Sequence, residues 1–202
     1  NSFREAGVGL SSVGPFTQGG ATFANSITAT QNFALSSTNI YVTGVTYSDT
    51  DVNNFYSVGE GIGSRTVQLY QNGVTGLSMV STAAGGYSVA TSGTGVIEAR
   101  FSGGGLTSEM GASFSMGGEN VKIDLVNNST ILSSHTATLT GAALNLTLLG
   151  INANSATGNA LNNILTGNEA SNVLNGLDGN DTLNGGLGAD TLNGGSGNDT
   201  LN

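Results

Sequence analysis

With 202 residues the chain has room for one large domain or two small ones, and its 33 glycines, single proline and 8% charged residues point to short strands joined by turns. A formal net charge of −9 argues against a nucleic-acid role, and the absence of cysteine excludes disulfides and thiol chemistry. No apolar run reaches the length of a membrane helix; the best stretch, 142–151, is short and interrupted by Asn145 and Gly150.

The chain opens on NSFREAGVGL, which is not a signal peptide and reads as mid-domain sequence. It stops on the last residue of a repeat, so we expect a piece of a longer protein. NSFREAGVGL followed by ATQNFAL resembles the last strands of a bacterial CAP (cysteine-rich secretory protein-like) domain, and residues 1–36 are expected to be its C-terminal remnant. Glu5 reads as a solvated strand-end carboxylate, and no catalytic residue is carried over from that family.

Residues 39–127 alternate strand and turn. Strands are predicted at 40–48, 66–71, 77–82, 87–91, 95–101, 112–116 and 121–126, with turns at Asn72-Gly73, Gly85-Gly86, Gly103–Gly105 and Gly117-Gly118. Seven short strands in this length suggest an antiparallel Ig-like β-sandwich, with Val67, Leu69, Val121, Ile123 and Leu125 facing inward.

One loop in this region, DTDVNNFYSVGE over 49–60, carries Asp49, Asp51, Asn53 and Glu60 at positions one, three, five and twelve. Those are the side-chain ligand positions of a twelve-residue calcium loop, in which the Phe55 carbonyl would supply position seven and Ser57 would hold a water at nine. Asn54 stands where glycine is usual, and an Asx-rich turn is the competing reading. VTGVTYSDTDVNNFYSVGEGIGSRTVQLY, GGYSVAT, FSGGGL and ENVKIDL resemble bacterial Ig-like modules of the SdrD B-like or carboxypeptidase-regulatory-like type. That resemblance implies a spacer, and in some members calcium at the D-x-D-x-N loop.

Residues 128–157 are expected to be a linker and an entry coil. Leu144, Leu146 and Leu148 alternate with polar residues, which predicts a strand with one buried face. His135, the only histidine, has no cysteine or carboxylate near it in sequence and reads as an exposed loop residue.

From Gly158 to Asn202 the chain divides without a gap into five nine-residue units: GNALNNILT, GNEASNVLN, GLDGNDTLN, GGLGADTLN and GGSGNDTLN. Position one is always Gly. Position six is Asn163, Asn172, Asp181, Asp190 and Asp199, and position eight is Leu throughout. Two units would make one coil of a parallel β-roll, with the leucines inward and residues 18 apart in stacked register. Asp181 would then lie beneath Asp199, Asp190 above Asn172, and Asn163 below Asp181.

The position-six side chains, with flanking carbonyls such as those of Gly179, Gly188 and Gly197, would form oxygen cages for a hard cation. Asn163 and Asn172 would give the poorer sites. Asp178, at position three, reads as a surface residue before it reads as a ligand. The charge distribution agrees. The four basic residues, Arg4, Arg65, Arg100 and Lys122, precede position 123, whereas 150–202 holds Glu169, Asp178, Asp181, Asp190 and Asp199 and no base. Such an acidic stack needs a counter-cation. Five leucines are also a small core for 45 ordered residues, so the ion is expected to drive folding.

The array resembles the RTX (repeats-in-toxin) family, whose consensus is G-G-x-G-x-D-x-U-x. The last two units match it throughout, the third has Leu177 for the second glycine, and the first two have Leu161 and Ala170 at position four. The resemblance implies Ca2+ as cofactor, a secreted, extracellular location reached by type I secretion, and contact with a secretion apparatus or a cell-surface partner. The expected fold is therefore all-β: an antiparallel Ig-like sandwich over 39–127, then a right-handed parallel β-roll over 158–202. The expected function is calcium binding by a structural module and not catalysis. The alternatives are the tail of a secreted CAP-like hydrolase whose active site lies upstream, or an adhesin fragment.

Overall fold

The computed structural model describes residues 5–12, 16–18, 21–23, 27–33, 40–53, 55–57, 59–91 and 94–202, with side chains from residue 40 onward. Four strands precede that point: β1 (Glu5–Ser12), β2 (Phe16–Gln18), β3 (Ala21–Phe23) and β4 (Ile27–Phe33). They form two antiparallel pairs, β1–β4 and β2–β3. The side chains of the expected CAP-like remnant, Glu5 included, lie outside the described residues.

The next seven strands are β5 (Ile40–Tyr47), β6 (Arg65–Gln71), β7 (Val74–Val80), β8 (Gly86–Thr91), β9 (Thr94–Gly103), β10 (Met110–Gly117) and β11 (Val121–Val126). Each overlaps a strand expected from the alternation of apolar and polar residues. β7 starts three residues early because Asn72 and Gly73 both adopt positive φ, 50° and 80°, and close a two-residue hairpin turn directly onto Val74. Two facing sheets result, β7-β6-β9-β10 and β8-β5-β11. Pairing within them is antiparallel except for β5–β11, which is parallel, Val42 lying opposite Val121. Val67, Leu69, Val121, Ile123 and Leu125 all point into the core. The sheets meet through Tyr87 and Phe101, whose rings contact edge-on at 5.7 Å.

The chain leaves β11 through a second tight turn. Asn127 and Asn128 sit at φ 51° and 56°, and the Ser129 N–H donates to the Val126 carbonyl at 3.1 Å. Buried Arg65 donates to the Gly103 carbonyl at 3.0 Å and to Asn128 Oδ1, tying this turn to β6. Residues 128–157, expected as linker and entry coil, supply β12 (Thr130–Ser133), β13 (Ala137–Gly141), β14 (Asn145–Leu148) and β15 (Ser155–Thr157). β12 pairs antiparallel with β11, and β13 antiparallel with β10. Both sheets of the sandwich therefore continue into the C-terminal coils.

From β12 and β13 onward pairing is parallel, through β14 and β15, then β16 (Ile164–Thr166), β17 (Val173–Asp178), β18 (Thr182–Asn184), β19 (Thr191–Ser196) and β20 (Thr200–Leu201). The finished sheets have eight strands each, β19-β17-β15-β13-β10-β9-β6-β7 and β20-β18-β16-β14-β12-β11-β5-β8. In the repeats each coil advances 18 residues, Leu165 pairing with Leu183 and Leu183 with Leu201. At the entry the step from Leu146 to Leu165 is 19. A single apolar core runs from Ile40 through Leu146, Leu165 and Leu174 to Leu183. Among the described residues no helix is long and apolar enough to cross a membrane.

Candidate metal centre

Each nine-residue unit is a short strand plus a turn, and the glycines divide the turn's requirements between them. In the three aspartate units positions two and four take left-handed backbone: Gly186 and Gly195 lie at φ 97° and 100°, and Gly179, Gly188 and Gly197 at 126°, 108° and 139°. Leu177 holds position two of the third unit at φ 77°, a strained geometry for a branched side chain. Position-one glycines have no positive φ, and there the requirement is space. A Cβ on Gly158, Gly167, Gly176, Gly185 or Gly194 would collide with the position-six side chain of its own unit. Left-handed backbone is thus the requirement at positions two and four of these units, and close approach the requirement at position one.

That approach packs the position-six side chains against the turn. Asp181 is 1% exposed, and Asp190 and Asp199 are half-buried. The stack follows the 18-residue register: the Asn163 N–H donates to Asp181 Oδ1 at 2.7 Å, the Asn172 N–H to Asp190 Oδ1 at 2.8 Å, and the Asp181 N–H to Asp199 Oδ1 at 3.0 Å. These main-chain donors are functional groups that the sequence reading missed, because residue type does not reveal them. Each holds one carboxylate oxygen and leaves the other for a different partner.

For Asp181 that second oxygen, Oδ2, is buried and has no hydrogen-bond partner. An ionised oxygen cannot stay buried and unmatched without a large desolvation cost. It lies beside the Gly194 carbonyl, both oxygens crowding the position a Cβ of Gly176 would take. Two oxygens side by side, one of them without a donor, fit a hard divalent cation, and calcium takes oxygen ligands of this kind.

Residues 157–192 and 166–201 match the family model described as RTX calcium-binding nonapeptide repeat (four copies). These residues are RTX calcium-binding repeats. No curated protein and no solved structure matches the chain. RTX repeats bind calcium, and their β-roll is a structural module rather than a catalytic one. The cation that the orphaned Asp181 oxygen calls for is thus the one the repeats imply.

The first two RTX units differ from the rest. Asn163 and Asn172 are 1% and 2% exposed, and protein groups engage both polar ends of each amide. The leucines also divide. Leu165, Leu174 and Leu183 are fully buried, Leu192 is half-buried and Leu201 is exposed, so three of the five expected to be inward are enclosed. Asp178 is exposed, as expected for a surface residue. His135 is half-buried rather than exposed, because the turn after β12 packs it beside Ser134, whose Oγ lies 2.9 Å from Nδ1.

Away from the roll, one carboxylate oxygen each from Asp49, Asp51 and Glu60 comes within 4.8 Å of the others. Glu60 is buried at the base of this loop and acts as a clasp. Its Oε1 accepts from Thr50 N–H at 2.6 Å, Thr50 Oγ1 at 2.9 Å and Asp51 N–H at 3.3 Å, and its Oε2 from Ser57 N–H at 2.7 Å. Asn53 is exposed and folds back along the loop, its Oδ1 accepting the Phe55 N–H at 2.7 Å while Nδ2 donates to Asp51 Oδ2 at 2.8 Å. The Phe55 side chain is exposed, and Asn54 lies outside the described residues. Asn127 accepts the Asp49 N–H at 2.9 Å and so joins this loop to the turn that leads into the roll.

The Ser57 N–H hydrogen bond, followed by those from Thr50 and Asp51, holds the Glu60 carboxyl below the usual carboxylate range. At Tyr47, burial first and then the Asp124, Asp49 and Glu60 carboxylates push the phenol up to about 12. A carboxyl with a depressed folded-state pKa stabilises above its unfolded pKa, and that contribution disappears as pH falls through the folded value. Acidification should therefore release the amides of Thr50, Asp51 and Ser57 while the sandwich core stays protected, as amide hydrogen exchange would show. Glu60→Gln keeps one acceptor oxygen and turns the other into a donor, so with Oε1 retained for Thr50 and Asp51 it should loosen the Ser57 amide most at neutral pH.

Proposed function

We propose that the chain is an extracellular, calcium-dependent structural module of a secreted bacterial protein. Its right-handed β-roll would take its final form on meeting calcium outside the cell, after export by a type I apparatus. The observation that carries this reading is the buried, partnerless Asp181 Oδ2 within a stack of RTX carboxylates. RTX proteins are typically secreted, and a module that needs millimolar calcium suits an extracellular setting. Asp181 and Asp199, then Asp190, are the side chains assigned to the ion, with carbonyls of the Gly179, Gly188 and Gly197 turns completing the shell.

Seven strands in two facing sheets support an Ig-like spacer over 39–127; a CAP-like remnant over 1–36 rests on the resemblance of NSFREAGVGL and ATQNFAL. The convergence of Asp49, Asp51 and Glu60 supports a second calcium locus in the sandwich, with Asn53 and the Phe55 carbonyl beside it. The test is circular dichroism and titration calorimetry of the whole chain with millimolar calcium and with excess chelator. Calcium should add β signal and bind with measurable heat. An identical spectrum in chelator, with no heat of binding, would sink the proposal.

A further inference from the structure

The two asparagine units of the roll are built differently from the three aspartate units. In the first unit Asn163 Oδ1 accepts the Asn159 N–H at 2.7 Å, and in the second Asn172 Oδ1 accepts the Asn168 N–H at 2.8 Å. Asn159 and Asn168, at position two, fold back in turn: their Oδ1 atoms accept the position-four N–H groups of Leu161 at 3.0 Å and Ala170 at 2.9 Å. The same pair of side chains thus closes the turn in both units. Neither Leu161 nor Ala170 adopts the left-handed backbone that Gly179, Gly188 and Gly197 use at the equivalent position.

The other end of each amide matters more. Asn163 Nδ2 donates to the Leu144 carbonyl at 3.1 Å, and Asn172 Nδ2 to the Asn154 carbonyl at 2.8 Å. Each reaches back one coil, 19 residues in the first case and 18 in the second. An aspartate at position six has no such donor. It presents two acceptors, and at Asp181 one of them is left over. Replacing the amide with a carboxylate turns a filled donor–acceptor pair into an acceptor facing acceptors, which a cation can bridge and nothing in the chain does.

We infer that Asn163 and Asn172 make the first coil of the array independent of calcium, and that ion-coupled folding begins at the aspartate units. The first coil then serves as a preformed template. It is seated on β14 and β15, its leucines Leu165 and Leu174 are fully buried, and it presents the edges of β16 and β17 to the next coil. This rests on the calcium reading above and adds where the ion begins to act.

The test is amide hydrogen exchange of the whole chain in excess chelator and in saturating calcium, run beside calorimetry. In chelator, residues 158–175 should exchange slower than 176–202 by on the order of tenfold or more, and calcium should protect chiefly 176–202. Asn172→Asp should make protection of 158–175 calcium-dependent and add to the ions bound at saturation. If calcium binds but 158–175 is as open as 176–202 in chelator, or if Asn172→Asp stays protected there, this inference is overturned while the calcium reading survives. If no calcium binds, both fall.

Discussion

Asp181→Ala should raise the calcium concentration needed to fold 176–202 by about tenfold or more. Two losses combine. The buried Oδ2 that has no protein partner disappears, and with it a ligand. The Asn163 N–H also loses its acceptor, and an unsatisfied buried donor costs roughly 1–3 kcal/mol, of which 1.4 kcal/mol is a factor of ten. Asp181→Asn is the informative partner variant, because it keeps an acceptor for Asn163 while removing the charge. It should bind calcium weakly and yet hold more structure in chelator than Asp181→Ala. A circular dichroism titration reads both. If the Asp181→Ala midpoint coincides with that of the unaltered chain, the stack does not hold the ion.

Leu146→Ala should lower the thermal stability of the sandwich and of the roll together, even at saturating calcium. Leu146 is fully buried in β14, between Ile131 of β12 and Leu165 of β16, where the core of one half becomes the core of the other. Truncating a buried leucine costs about 2–5 kcal/mol. For a chain of this size that is a fall of roughly 4–20 °C in Tm, at about 2–4 °C per kcal/mol. Because both sheets cross the junction, calorimetry should show one transition moving as a whole. Two transitions, of which only the later-unfolding one moved, would show that the halves melt independently.

The repeats were legible because their information is local. A nine-residue period, a leucine every turn and glycines at fixed places state the coil directly, and 18-residue stacking comes from counting. The strands of 40–126 were legible through alternation, as in Val67 and Leu69. What escaped depends on contacts between distant residues. Nothing near Val42 or Val121 announces that β5 and β11 run parallel. Asn127-Asn128 lacks the glycine that marks a hairpin turn, and TILS and ATLTG are short and rich in Ser and Thr, so of the four strands in 128–157 only the one through Leu146 and Leu148 was legible, and Leu144, expected on its buried face, precedes it and is exposed. In the loop at 49–60 the acidic spacing is visible, but the role of Glu60 as a clasp is not, because three of the four hydrogen bonds it accepts come from main-chain N–H groups. The asparagines at position six illustrate the same limit: one atom separates them from aspartate, and only the carbonyls of Leu144 and Asn154 show what that atom does.

The unbroken sheets have a mechanical corollary. Two units complete a revolution, so adding or deleting a pair would slide everything beyond the edit along the long axis by about 4.8 Å and leave its facing unchanged. Removing one unit alone would send each later segment to the opposite wall and turn its outward side by half a revolution. Once folded, the array is a spar and not a tether, and its length can change only in even steps without altering which way it faces.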